Sequence, residues 1–231
     1  MLRNLGRQCF SSVRIQRPQQ YYLGSLVRFQ HAAATATQPA CWQCGAAQQH
    51  ATVLCADCQA IQPVTPNVNY YELLLDGKQH SFDVDPKALR FKFLTLQQKA
   101  HPDSYSQASK REHEYAQLQS STLNKAYHTL KDPLARAKYL LELQGVEVGE
   151  SDSLEDPALL MEVMEIREEL DEATTDDQVA QVKETNDEKY QETVQRLSEA
   201  FSSNDLDAAK KFMIQLQYWE SIRRAILEWS P

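Results

Sequence analysis

No apolar run in the sequence approaches the roughly 18 residues that a membrane-crossing helix needs, so no helical span and no membrane partner are expected. Glycine is scarce, six in 231 residues, and no stretch sustains strand-like alternation. Apolar residues recur instead with the helical period, which predicts an all-α chain. Acids are missing from the first 56 positions, which hold five arginines (Arg3, Arg7, Arg14, Arg17, Arg28) and no lysine. Removing those five from the 24 basic residues leaves 19 against all 32 acids in residues 57–231, a net charge of about −13. A body this acidic argues against nucleic acid as the partner.

An arginine-bearing, acid-free start is the composition of a mitochondrial transit peptide, expected over residues 1–35, and it lacks the apolar segment of a secretory signal. It points to the mitochondrial matrix and leaves a cytosolic pool open. A basic tail is the plainer reading. Cys9 would leave with the leader, so the other four of the five cysteines remain.

Those four form two close pairs, Cys41-x2-Cys44 and Cys55-x2-Cys58, with ten residues between the pairs. Four thiolates at this spacing can close a tetrahedron around one metal ion. In a reducing compartment such pairs read as metal ligands rather than disulfides, with one structural zinc ion favoured over iron. Four thiolates leave no open position, which favours a clasp over redox or catalytic chemistry. His50, between the pairs, reads as a solvated loop residue. The module, residues 38–66, has few apolar residues, and metal binding could supply the missing folding free energy, on the order of 10 kcal/mol.

Residues 69–145 read as a helical domain. A first helix covers 70–75, and Asp85-Pro86 starts a second as N-cap and first-turn proline. Leu89, Phe93, Leu96 and Ala100 give that helix one core stripe, and Pro102 stops it. A third helix is expected over about 107–130, and a fourth from Asp132-Pro133 to Gly145. An acidic linker precedes Asp156-Pro157, which opens a second domain, 156–231: a three-helix bundle over about 157–173, 176–202 and 205–229. No internal repeat stands out.

Two sites follow from these patterns. His101-Pro102-Asp103 lies between two helices, beside a segment with Lys87, Arg90, Lys92, Lys99 and no acid. A basic helix ending in an exposed loop suits an acidic partner surface. A helix-breaking turn with solvated lysines is the plainer reading, and no nucleophile or oxyanion donor supports a His101/Asp103 catalytic dyad. On helix 157–173, Leu159, Val163, Ile166, Leu170 and Ala173 suffice for a core stripe. Leu160, Met161 and Met164 lie about 100–200° away, flanked by Glu165, Glu168 and Glu172. That is either a protein-binding patch or a face buried on the first domain. On the last helix Phe212, Met213 and Leu216 read as the core face, with Ile214 and Tyr218 pointing elsewhere.

Residues 70–144 resemble a J-domain, the module that stimulates ATP hydrolysis by DnaK-type heat-shock chaperones and whose signature is the His-Pro-Asp loop. More specific is the run from Ser120 to Leu141, Ser-Ser-Thr-Leu-Asn-Lys-Ala-Tyr-His-Thr-Leu-Lys-Asp-Pro-Leu-Ala-Arg-Ala-Lys-Tyr-Leu-Leu. It is similar to the iron–sulfur cluster co-chaperone family of the HscB/Jac type. The likeness covers residues 69–229, and the tetracysteine module matches the extension of animal-type members. Gln98, Ala100 and Ser104 depart from residues common in the family, and the Gly/Phe-rich region of general J-proteins is absent.

The resemblance implies a non-enzymatic co-chaperone that activates a mitochondrial DnaK-type chaperone and binds the iron–sulfur scaffold protein, with recipient apoproteins as further partners. It implies that His101, Pro102, Asp103, Arg90 and Lys99 meet the chaperone. The segment from Leu159 to Glu172 resembles the stretch with which the family grips the scaffold. By that match Leu160, Met161, Met164, Glu165, Glu168 and Glu172 are scaffold contacts, with Tyr218 aligned to an aromatic contact. A general J-protein without a cluster role and a metal-redox protein are the alternatives.

Overall fold

Local signals set most of the helix boundaries. The computed structural model describes residues 40–49, 51–77, 80–149 and 156–230. Its helices are α1 (Tyr70–Leu75), α2 (Pro86–Ala100), α3 (Lys110–Lys131), α4 (Pro133–Leu143), α5 (Pro157–Glu172), α6 (Asp176–Ser202) and α7 (Leu206–Glu228). Asp85, Asp132 and Asp156 cap α2, α4 and α5, each accepting from first-turn amides, and each is followed by a proline that lacks the N–H those positions leave unpaired. Capping boxes start α3 (Ser109, Glu112) and α6 (Thr175, Gln178). Helix α3 begins at Lys110 rather than near 107, because Pro102–Tyr105 form a 3-10 turn before the Ser109 cap. The structure is all-α among the described residues, with only isolated β-bridges, Ala40 to Ala47 and Leu54 to Ile61, in the cysteine module.

Helices α2 and α3 form an antiparallel hairpin. Gln97 bonds Ser120 at 2.5 Å while Phe93 stacks on Tyr127 at 4.3 Å, so residue numbers fall along one helix as they rise along the other. Helix α1 lies against the hairpin, and Tyr70 stacks on Tyr139 of α4. Helices α6 and α7 pair the same way. Trp219, fully buried, donates its indole N–H to Thr193 Oγ1 at 3.0 Å, and Asn186 Nδ2 donates to the Trp219 carbonyl. Helix α5 lays its Leu159, Val163, Ile166, Leu170 stripe against this pair. Ile214 is buried, not turned away, because α4, α5 and α6 all pack on α7 and leave it little free face.

The two helical groups share one core. Phe82 stacks on Phe201 of α6 with centroids 5.4 Å apart, and the Arg136 guanidinium lies 4.7 Å over the Phe82 ring. Ser198 donates to Asp83 Oδ2 at 2.6 Å, and Lys210 donates to the Glu147 carbonyl at 3.0 Å. Val53 and Ile61 of the cysteine module also enter this core, so residues 38–231 form one unit.

Candidate metal centre and interaction surfaces

The two cysteine loops are near-copies at an offset of 14 residues, a short repeat that sequence reading missed because only the cysteines were compared. Each reads Cys-x-x-Cys-x-Ala-x-Gln, over 41–48 and 55–62. The first cysteine's N–H donates to the alanine carbonyl (Cys41 to Ala46, 2.8 Å; Cys55 to Ala60, 2.9 Å). The residue after the second cysteine returns an N–H to the first cysteine's carbonyl. That residue needs a left-handed backbone, supplied by Gly45 (φ 74°) and, at more cost, by Gln59 (φ 60°).

The loops bring the four Sγ atoms within 4.8 Å of one another. Cys41 and Cys58 are 3.7 Å apart, Cys44 and Cys55 3.6 Å. A tetrahedron with metal–sulfur bonds of about 2.3 Å has edges of about 3.8 Å, so the residues fit one tetrahedral thiolate-bound ion. Cys41 and Cys55 are buried, whereas Cys44 is exposed.

The thiols titrate as a coupled set. Desolvation pushes Cys41 up, but bonds from the Cys44 and Gln43 amides outweigh it and bring the value down to about 6. The Cys58 amide leads a downward shift at Cys55. The Ala46 amide draws Cys44 down, yet contact with the Cys58 sulfur and desolvation push it up to about 12. Cys58 also rises, its Ala60 amide bond outweighed by desolvation and its neighbours. Neighbouring thiols cannot all ionise together; a divalent cation supplies the charge that lets them do so.

The His101-Pro102-Asp103 turn is exposed and ordered by local bonds. Asp103 N–H donates to His101 Nδ1 at 3.3 Å, and the Asp103 carboxylate lies 3.6 Å from the same nitrogen. Ser104 N–H closes the turn on the His101 carbonyl, and Tyr105 OH caps the Lys99 carbonyl at 3.2 Å. The basic segment is less uniform than its composition. Lys92 pairs with Asp76 at 2.6 Å, while Lys87, Arg90 and Lys99 carry no ion pair among the described residues. Phe91 and Leu94, 74% and 49% exposed, share the outer face of α2 with Lys87 and Arg90. They were missed because one apolar stripe already accounted for the helix; their signal was apolar residues off that stripe.

On α5 the second face stays open. Leu160, Met161 and Met164 are 38%, 63% and 59% exposed, which excludes burial on the first helical group, and Glu165, Glu168 and Glu172 are exposed beside them. Tyr218 is half-buried and packs against the core edge. The expected leader, residues 1–35, and His50 lie outside the described residues. None of the described helices is long and apolar enough to cross a membrane.

Comparison with known proteins agrees with this layout. The model of the family described as "HSCB C-terminal oligomerisation domain" matches residues 155–227. The "Iron-sulfur cluster co-chaperone protein HscB homolog" of Arabidopsis thaliana is 36% identical, over 81% of this chain and 73% of its own. The "Iron-sulfur cluster co-chaperone protein HscB" of Mus musculus is 34% identical over 84% of each chain. The "J-type co-chaperone JAC1, mitochondrial" of Saccharomyces cerevisiae is 33% identical over 70% of this chain and 89% of its own. The crystal structure of human co-chaperone protein HscB superposes with a TM-score of 0.75 at 33% identity, covering 82% of this chain and 98% of that one.

Proposed function

Because the chain belongs to the HscB family of iron–sulfur cluster co-chaperones, we propose that it carries a cluster-loaded scaffold protein to a DnaK-type chaperone and triggers that chaperone's ATP hydrolysis. Its role is that of a co-chaperone in iron–sulfur cluster biogenesis; it activates an ATPase and performs no covalent chemistry itself. The observation that carries the reading is the open Leu160, Met161, Met164 face with its acidic rim, held on the same unit as the His101-Pro102-Asp103 turn.

The cradle is apolar, adaptable and edged by acids, which fits a folded partner with basic residues around an apolar spot. Leu160, Met161 and Met164 supply contact area. Glu165, Glu168 and Glu172 steer and orient, and Tyr218 adds an aromatic edge. On α2, Arg90 and Lys99, with Lys87, draw an acidic chaperone surface, and Phe91 and Leu94 offer apolar contact. His101, Pro102 and Asp103 then meet the chaperone at a turn whose shape is already set. Preorganisation keeps the ordering cost of docking small.

Cys41, Cys44, Cys55 and Cys58 would hold one zinc ion, which would supply a rigid cross-link and leave no open position for substrate. The acid-free start of the chain and the mitochondrial yeast relative support a mitochondrial location, and the matrix within it is where a leader of this composition leads. The chain's own division of labour is a cysteine module (38–66), a J-domain (69–145) and a scaffold-binding bundle (156–231). Recipient apoproteins complete the set of partners.

The test is His101→Gln in a steady-state ATPase assay with the chaperone. Stimulation should vanish while scaffold binding persists. Unchanged stimulation would refute the trigger assignment.

A further inference from the structure

The near-repeat of the cysteine loops crosses over at its glutamines. Gln48 Nε2 lies 3.3 Å from Cys55 Sγ, and Gln62 Nε2 lies 3.3 Å from Cys41 Sγ. Each loop's glutamine thus donates to the first cysteine of the other loop. Both glutamines are buried, at 7% and 4% exposure, alongside the two buried cysteines. Each amide also bonds a carbonyl of its own loop, Ala46 at 3.0 Å and Ala60 at 2.8 Å, so its orientation is fixed from two sides.

From Gln62 the line continues out of the module. Its backbone N–H donates to the Val53 carbonyl at 2.9 Å, and its own carbonyl accepts from Gln119 Nε2 at 3.0 Å. Gln119 is 3% exposed and stands in the middle of α3, the helix that follows the His101-Pro102-Asp103 turn. Beside this line Trp42 donates its indole N–H to the Ile61 carbonyl and stacks under the Arg111 guanidinium of α3, 4.5 Å away.

The geometry points to Gln62 as the residue that positions the Cys41 thiolate, and to Gln119 as the residue that couples metal occupancy of the cysteine site to the order of α3. This rests on the four-thiolate reading given above. The physical cause is the pinning of the acceptor. A bound ion would hold the Cys41 thiolate in one place, where it takes a charge-assisted hydrogen bond from the buried Gln62 amide. Loading the site therefore tightens the Gln62 side chain on Cys41 and fixes the carbonyl that Gln119 needs. Without that carbonyl a buried amide donor loses its partner. Linkage makes the effect reciprocal: the factor by which metal favours the Gln119 bond is the factor by which that bond favours metal.

The experiment uses the full chain. Cobalt(II) titration reads thiolate binding by absorption, zinc affinity is measured against a chromophoric chelator, and hydrogen exchange is followed with and without metal. In the wild type, metal removal should speed exchange around Ala116 to Leu123 by about tenfold or more, leaving α6 and α7 unchanged. Gln62→Met, similar in shape but without the amide, should lower zinc affinity by about 10–100-fold. Gln119→Met should still show cobalt–thiolate bands, bind zinc about tenfold more weakly, and give α3 exchange that no longer responds to metal. Metal-independent α3 exchange in the wild type overturns the coupling, and so does a Gln119→Met protein that keeps the wild-type response. The wild-type comparison needs no variant, so a variant that fails to fold does not shield the inference. Absence of cobalt–thiolate absorption would instead sink the metal reading itself.

Discussion

Replacing Met161 and Met164 together with alanine separates the binding role of the α5 face from any packing role. The two side chains are 63% and 59% exposed, so little native packing is lost. Fully burying a methionine is worth about 1.5–3 kcal/mol, and the exposed share of each, less what alanine retains, leaves about 0.5–1.5 kcal/mol per residue on binding. The pair then amounts to about 1–3 kcal/mol, or roughly 5- to 150-fold in Kd at about 1.4 kcal/mol per decade. Alanine is the better helix former, so α5 should not weaken. Isothermal titration with the scaffold protein reads the affinity, and far-UV circular dichroism with a thermal melt reads the fold. Unchanged affinity would refute the cradle. A drop in helicity or melting temperature would show that the methionines support packing instead.

Ser109→Ala removes the α3 capping box and should cost about 1 kcal/mol at neutral pH. Bonds from the Ser109 hydroxyl and amide hold the Glu112 carboxyl below its ordinary value of 4.5. That stabilisation is present above about pH 4.5 and lost as pH falls through the depressed folded value, so the gap between variant and wild type in urea titrations should narrow in acid, leaving the pH-independent bond from the Glu112 N–H to Ser109 Oγ. Phe82→Ala removes a ring that is 2% exposed and stacked on Phe201. It should cost about 3–5 kcal/mol and split one calorimetric unfolding transition into two; a single transition with an unchanged midpoint would count against a shared core.

Short-range chemistry was legible in the sequence. The Asp-Pro pairs at 85, 132 and 156 each cap a helix where expected, and the cysteine spacing anticipated four converging sulfurs. The surplus apolar residues on α5 stand exposed because the Leu159 stripe already fills the bundle face. Long-range pairing was not legible. Ile214 looked like an outward residue because helical period describes one face, whereas α7 is packed from several directions. Lys92 counted as part of a positive face, yet it reaches back to Asp76 across the turn after α1. Nothing local announces that Phe82 and Phe201 meet, or that Gln119 reaches Gln62 over 57 residues of chain. Aromatic and amide side chains of this kind fit many environments, and only the assembled fold selects one.

The central claim is that trigger and cradle act from one rigid body. Steady-state ATP turnover by the chaperone tests it most directly, measured with co-chaperone alone, scaffold alone and both together. The account predicts stimulation by the pair well above the sum of the separate effects, and lost in Phe82→Ala even where each partner still binds. Strictly additive stimulation in the wild type would contradict it.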